Sequence, residues 1–401
     1  MLIEIILTLL IGILFGTLTG LIPGIHINLI SALLISASGS LIFFSKIPSI
    51  YLAIFIVSMA ITHTFIDFIP SIFLGAPDTD TELSVLPGHE LLMKGQGYKA
   101  ILLSSFGGIV AILILLIITP FSILFIQNFY NILENFIPYL LIITSFFVIS
   151  LDKYKFRALG IFLLCGLLGF LTLNLLEFKQ PLLPLLTGLF GSSMMILSIK
   201  NKINVPKQEI IPFKLKRYLK NKKPLIGALV AAPLCSFLPG LGAGQAAVIG
   251  NTITKTNREG FLILIGATNT LVMGFSFIVL YLIQKTRTGA ASAIKEILGT
   301  MNWKFLILIF GIIILSSIIA FILSLKISKI ISRKIHQFNY SLFSYSTLGI
   351  LTLVIFFISG LTGILIFILS TLTGIYSISS KVKRTNMMGC LLIPTILLYL
   401  I

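Results

Sequence analysis

The chain has 401 residues, of which 57% are hydrophobic and only 10% charged, and its mean hydropathy is +1.11. Soluble domains carry about 25% charged residues, so a set of soluble domains is excluded and a multi-pass protein of the cell membrane is expected. The formal charge of +17 is distributed in short clusters between apolar runs, as orientation determinants are, and this excludes a nucleic-acid-binding protein.

In chain order, the first apolar run contains Glu4 and has neither a basic start nor a small-residue cleavage site, so it is expected to be retained. Residues 3–22 and 25–45 flank Pro23-Gly24, and 49–75 is a long apolar segment. Residues 76–97 are polar, and apolar segments follow at 98–127, 136–151, 158–176 and 181–199. After a basic stretch, 200–223, the order recurs. Residues 224–240 and 244–254 flank Pro239-Gly240, 260–284 is long, 285–302 is polar, and four segments start at 303, 340, 361 and 386. Those four begin about 205 positions after their partners, the mark of an internal duplication.

Residues 200–223 hold nine Lys or Arg against the single Glu209, which assigns them to the cytoplasm. Lys255–Arg258, Lys326–Lys334 and Lys381–Arg384 are assigned there in the same way. A segment that starts and ends on the same side is a re-entrant hairpin, which places Pro239-Gly240 at its tip. Each half then has one hairpin and five crossings, and an odd count inverts the second half. Both termini fall outside, Lys153, Lys155 and Arg157 inside, and residues 128–136 in an outer loop. The expected fold is an all-α polytopic membrane protein of two inverted-topology repeats, 1–199 and 224–401, joined by a cytoplasmic linker, 200–223.

Pro removes a backbone donor, and irregular backbone at membrane depth persists only where protein or a watery cavity satisfies it. Two such breaks in matching halves point to a transporter with its site at the breaks. Unpaired N–H groups and helix starts bind anions there, and glycines permit close approach. The substrate-binding candidates are Thr19, Gly20, Pro23, Gly24, His26 and Asn28 on one side, and Ser236, Pro239, Gly240, Gly242, Gly244 and Gln245 on the other. Asn251 is a further polar residue within reach of the second break. The second polar segment adds the hydroxyls of Thr286 and Thr288 and the basic Arg287, and the first adds the acidic Asp78 and Asp80 as ion-coupling candidates; these segments are either solvated loops or dips toward the centre.

His63 and Asp67, four residues apart in an apolar segment, share a helix face. They are read either as a proton-carrying pair or as a static tie between helices. The second half has Thr268-Asn269-Thr270 where the first has Thr62-His63-Thr64, so the titratable group occurs in one half only. His89 and Glu90 are expected in solvent. Cys165, Cys235 and Cys390 lack metal-type spacing and read as small buried residues. HExxH, GxSxG and Walker patterns are absent from the sequence, so neither an enzyme nor an ATP-driven pump is expected. No cofactor or bound metal is expected either; the energy is expected from an ion gradient, with H+ or Na+ as the coupling ion, or from a partner.

Three stretches carry a family resemblance: Leu21-Ile-Pro-Gly-Ile-His26; Leu74-Gly-Ala-Pro-Asp-Thr-Asp-Thr-Glu82 running on through Pro87-Gly88 to Lys94-Gly-Gln-Gly-Tyr-Lys-Ala100; and Phe237-Leu-Pro-Gly-Leu-Gly-Ala-Gly244. They resemble the large permease subunit of the tripartite tricarboxylate transporters (TctA type), in a divergent form with His26, Asp78, Asp80 and Glu82 at positions of its own. The resemblance implies ion-driven uptake of a small organic anion, a di- or tricarboxylate such as citrate. The implied partners are a small membrane subunit and a solute-binding protein; a stand-alone mode and a homodimer stay open. Two other functions also stay open, a translocase of a lipid-linked phosphate and a non-transporting scaffold.

Overall fold

A computed structural model describes residues 2–22, 47–75, 81–150, 152–175, 180–200, 205–213, 218, 220–237, 242–286, 288–337 and 340–400. Every regular element among them is helical. Seven helical stretches among the described residues are long and apolar enough to cross a bilayer: Leu2–Leu21, Ser49–Phe73, Gly97–Phe125, Lys155–Asn174, Arg258–Ile283, Trp303–Gln337 and Ser344–Ser379. Pro138–Ser150, Leu182–Leu197, Lys223–Pro233 and Arg384–Leu400 are shorter apolar helices. With so many spans, the protein is an integral, multi-pass membrane protein.

The first half contains α1 (Leu2–Leu21), α2 (Ser49–Ile66), α3 (Phe68–Phe73), α4 (Val85–Met93), α5 (Gly97–Ser150), α6 (Lys155–Phe170), α7 (Leu182–Leu186) and α8 (Ser193–Lys200). The second contains α9 (Lys223–Phe237), α10 (Ala243–Thr254), α11 (Arg258–Ile283), α12 (Gly289–Leu298), α13 (Trp303–Lys334), α14 (Tyr340–Ser379) and α15 (Gly389–Leu400). Both polar segments thus contain a short helix, α4 in 76–97 and α12 in 285–302. The expected boundary between the segments starting at 340 and 361 falls at Gly360, whose φ of 67° interrupts α14.

The expected outer loop at 128–136 is not a loop. It lies inside α5, which runs for 54 residues through Pro120 and Pro138. A straight helix of this length would run about 81 Å, yet Val148 lines the same cavity as Leu83 and Glu90, so the helical run turns back between its two apolar stretches, Gly97–Phe125 and Pro138–Ser150.

Segments at matching places in the two halves exchange partners. α2 packs on α13 while α11 packs on α5; α4 meets α11 while α12 meets α2; α6 packs on α15 while residues 182–200 pack on α14. The exchange extends to single residues. A Cβ at Gly169 would meet the Cys390 carbonyl, and one at Gly374 the Leu189 carbonyl. A Cβ at Gly389 would meet the Phe162 carbonyl, and one at Gly188 the Phe367 carbonyl. Gly169 and Gly374, like Phe162 and Phe367, stand 205 positions apart, and Gly188 and Gly389, like Leu189 and Cys390, stand 201 apart. Small residues at such crossings let backbones approach where lipid gives no hydrophobic drive to pack.

The 200–223 stretch is not a free loop among its described residues. Gln208 accepts from the Gly97 N–H at 2.7 Å and donates to the Leu92 carbonyl at 3.0 Å, and the Glu209 N–H donates to the Gly95 carbonyl at 2.7 Å. Phe213 stacks on Tyr218 and meets Phe106 and Phe321 with ring centroids within 6.2 Å. Tyr218 and Phe106 are buried in this group while Phe213 stays 39% exposed, so the linker is held partly by burial of Tyr218. Nearby, Lys99 pairs with Glu259, Glu90 with Arg258 at 2.6 Å, and Asp152 accepts from Lys383 N–H and the Asn386 amide.

His89 corrects the expectation of solvent. It is only 8% exposed, because α4 packs against α3, α5 and α11. Burial first, and then the charge of Arg384, push the His89 imidazole below its ordinary range, against a hydrogen bond with the Ile72 backbone.

Candidate functional site

α2 stops at Ile66 and α3 starts at Phe68 because Pro70 has no N–H to give to the Ile66 carbonyl. Asp67 sits in this break, and His63 lies one turn before it. They are 3% and 4% exposed, so neither is solvated. Gly20 of α1 crosses over Ile66 and the Asp67 backbone, where any side chain would collide. One residue earlier, the Thr19 hydroxyl lies 3.1 Å from His63 Nδ1 and 3.2 Å from the Gly16 carbonyl. A hydroxyl has one proton, so when it is given to Gly16 the imidazole Nδ1 is the donor to Thr19.

Asp67 receives its partner from the other half. Asn269 Nδ2 of α11 donates to Asp67 Oδ2 at 3.1 Å and lies 3.4 Å from the Thr64 carbonyl. Ser324 of α13 donates to the Phe65 carbonyl at 3.3 Å and lies 2.9 Å from the Ser105 hydroxyl of α5. The broken end of α2 is thus held by polar groups from three other helices. Ser71 donates to the Asp67 carbonyl at 2.7 Å and therefore accepts from Thr81 at 2.6 Å.

The sequence candidates brought together here are Thr19, Gly20, His63 and Asp67. In the sequence Asn269 is marked by its alignment with His63, but only as a position lacking a titratable group. Ser71 and Thr81 carry no pattern that sets them apart from other membrane hydroxyl residues. Around the second break, α9 ends at Phe237 and α10 begins at Ala243. Gly244 is buried, and the Gly242 carbonyl accepts from the Ala246 N–H at 3.1 Å. Ser236 and Gln245 lie in these helices. Pro23, Gly24, His26, Asn28, Asp78, Asp80, Pro239, Gly240 and Arg287 lie outside the described residues. Thr286 is exposed; Thr288 caps α12 through the Ala291 N–H at 3.2 Å and lies 3.0 Å from Ser276. Among the described residues no group of His, Cys, Asp or Glu could hold a metal ion.

The profile of the tripartite tricarboxylate transporter TctA family matches residues 6–389. An uncharacterized protein of Methanocaldococcus jannaschii is 34% identical over 406 residues, covering 98% of this chain and 99% of that protein. No solved structure matches. The profile match spans the broken helices, the Asp67 cluster and both halves of the chain, and the chain belongs to the tripartite tricarboxylate transporter TctA family.

Proposed function

We propose that this protein is a secondary active permease for a small organic anion, a di- or tricarboxylate, with the Asp67 cluster as its ion-coupling centre. The observation that carries the reading is the Asp67–Asn269 hydrogen bond, which joins a buried carboxylate at a helix break in one half to the position aligned with His63 in the other. A carboxylate at membrane depth is costly to maintain and characteristic of ion pathways. Exchange of partners between the halves is what a twofold relation between repeats produces, each contact recurring with roles reversed. It supports inverted repeats that rock against one another around a site at the two Pro-Gly breaks. The hydrogen bonds and ion pairs among residues 90–99, 152, 208–209, 258–259 and 383–386 support one cytoplasmic face, since charge assigns most of these stretches to that side. A small membrane subunit and a solute-binding protein complete the system in this reading.

The test is uptake of labelled citrate into proteoliposomes under an imposed proton or sodium gradient. Accumulation that collapses with the gradient supports the proposal; the absence of anion uptake under either gradient refutes it.

A further inference from the structure

A cavity of about 490 Å³ opens between residues 83–90, the C-terminal end of α10, the start of α11 and residues 383–385. Its walls carry three cations, Arg258, Lys383 and Arg384, against one carboxylate, Glu90, which is paired with Arg258. Hydrogen-bonding groups come from Asn251, Thr256 and Thr385. Asn251 Oδ1 accepts from both the N–H and the hydroxyl of Thr256, which leaves its amide nitrogen as a donor. The start of the 26-residue α11 adds the positive end of a helix dipole.

Arg384 is poorly satisfied by the protein. Its Nη1 is buried without a hydrogen-bond partner among the described residues. A cation left in that state is costly, and because Arg384 forms part of the cavity wall, a turn of its side chain would let an anion in the cavity accept from it. Leu83, Val148, Val248 and Phe261 supply apolar wall, which strengthens the attraction by excluding water. The volume falls in the range of small-molecule sites.

The cavity is not the site at the Pro-Gly breaks. Asn251 lies nine residues beyond Gly242, about 14 Å along α10, toward the stretches that charge assigns to the cytoplasm. We propose that this cavity is a second anion site, holding a small polycarboxylate at the cytoplasmic mouth of the transport path with Arg384 as its anchoring cation. The substrate class and the direction of the path rest on the permease reading. An arriving carboxylate competes with Glu90 for Arg258, so occupancy is loose, as release into the cytoplasm requires.

Alkylation of the full-length Thr385→Cys protein by a maleimide, in detergent, tests the site with citrate as the probe and chloride at matched ionic strength as control. Citrate should slow alkylation saturably. Arg384→Gln should raise the half-protecting concentration about tenfold or more, the scale of a lost charge-assisted hydrogen bond, and Arg384→Lys should restore part of it. Glu90→Gln, which frees Arg258 from its carboxylate, should lower that concentration and stands in if Arg384→Gln fails to fold. Equal protection in all of these variants, or equal protection by chloride, overturns the proposal, as does protection only by anionic phospholipid. Uptake without protection removes the second site and leaves the permease; protection without uptake does the reverse.

Discussion

Asn269 and Asp67, 202 residues apart in sequence, meet through a 3.1 Å hydrogen bond from the amide nitrogen to the carboxylate. The contact ties the two halves together at the break between α2 and α3. It also supplies one donor to a carboxylate that water cannot reach. Its consequence for transport depends on whether that carboxylate changes its protonation during the cycle.

If transport is proton-coupled, Asp67→Asn abolishes gradient-driven uptake and leaves counterflow exchange largely intact, because exchange needs binding and movement but no net proton release. Both rates are read from the same proteoliposomes. Parental uptake by Asp67→Asn under a proton gradient would make the cluster structural, and sodium coupling would then be the better account.

Asn269→Leu withdraws the amide and leaves the Asp67 carboxylate short of a donor. Hydrogen bonds between membrane helices average about 0.6 kcal/mol with a maximum near 1.7, and a buried carboxylate with one donor fewer adds to that, so a loss of about 1–2 kcal/mol is expected. Thermal unfolding in detergent measures it. In a double-mutant cycle with Asp67→Leu the two losses should not add; simple additivity would mean that the contact contributes nothing.

Gly266 and Gly107 carry the crossing of α11 on α5, where a Cβ at Gly266 would collide with the Ser104 carbonyl. Gly266→Leu is expected to cost at least about 1–3 kcal/mol through overpacking. Gly311→Ala in α13 is the control: no atom lies within 4 Å of the added carbon, so the gain in helix propensity, about 0.5–1 kcal/mol, stands alone. The two variants should move the melting temperature in opposite directions.

His89 gives a pH dependence. Burial and Arg384 hold its folded-state pKa below the ordinary 6.5, so the unfolded chain binds the proton more readily. Its contribution to stability is therefore complete above pH 6.5 and is lost as pH falls from there through the depressed value. His89→Phe should flatten that acid-side loss, and Arg384→Gln should reduce it by removing the second cause. Melting temperatures at about pH 7.5 and 5.5, on either side of the ordinary imidazole value, provide the comparison; an unchanged difference in both variants contradicts the assignment.

Ile210 is exposed in the linker next to Glu209, which is bonded to Gly95. A cysteine at this position is expected to react with an impermeant maleimide from the cytoplasmic side. Reaction from the outer side alone would reverse the orientation derived from the basic clusters.

Hydropathy and helix breaking belong to consecutive residues, so the sequence by itself determined the membrane character, most of the spans, the interruption at Gly360 and the end of α9 before Pro239. The same local reasoning singled out His63 and Asp67, because a carboxylate and an imidazole stand out in an apolar run, and Thr19 and Gly20, because they precede Pro23-Gly24. It placed a loop at 128–136, where the residues are helical, and put His89 in solvent, since a polar residue in a polar stretch reads as exposed. Only the tertiary structure decided that Asp67 meets Asn269, that Thr81 returns to Ser71, that residues 208–213 dock on the bundle, and that the Arg384 guanidinium is tucked into the wall of a cavity. Each of those depends on which distant backbone comes within about 3 Å, a distance fixed by the packing of whole helices on their small residues and written in no local pattern.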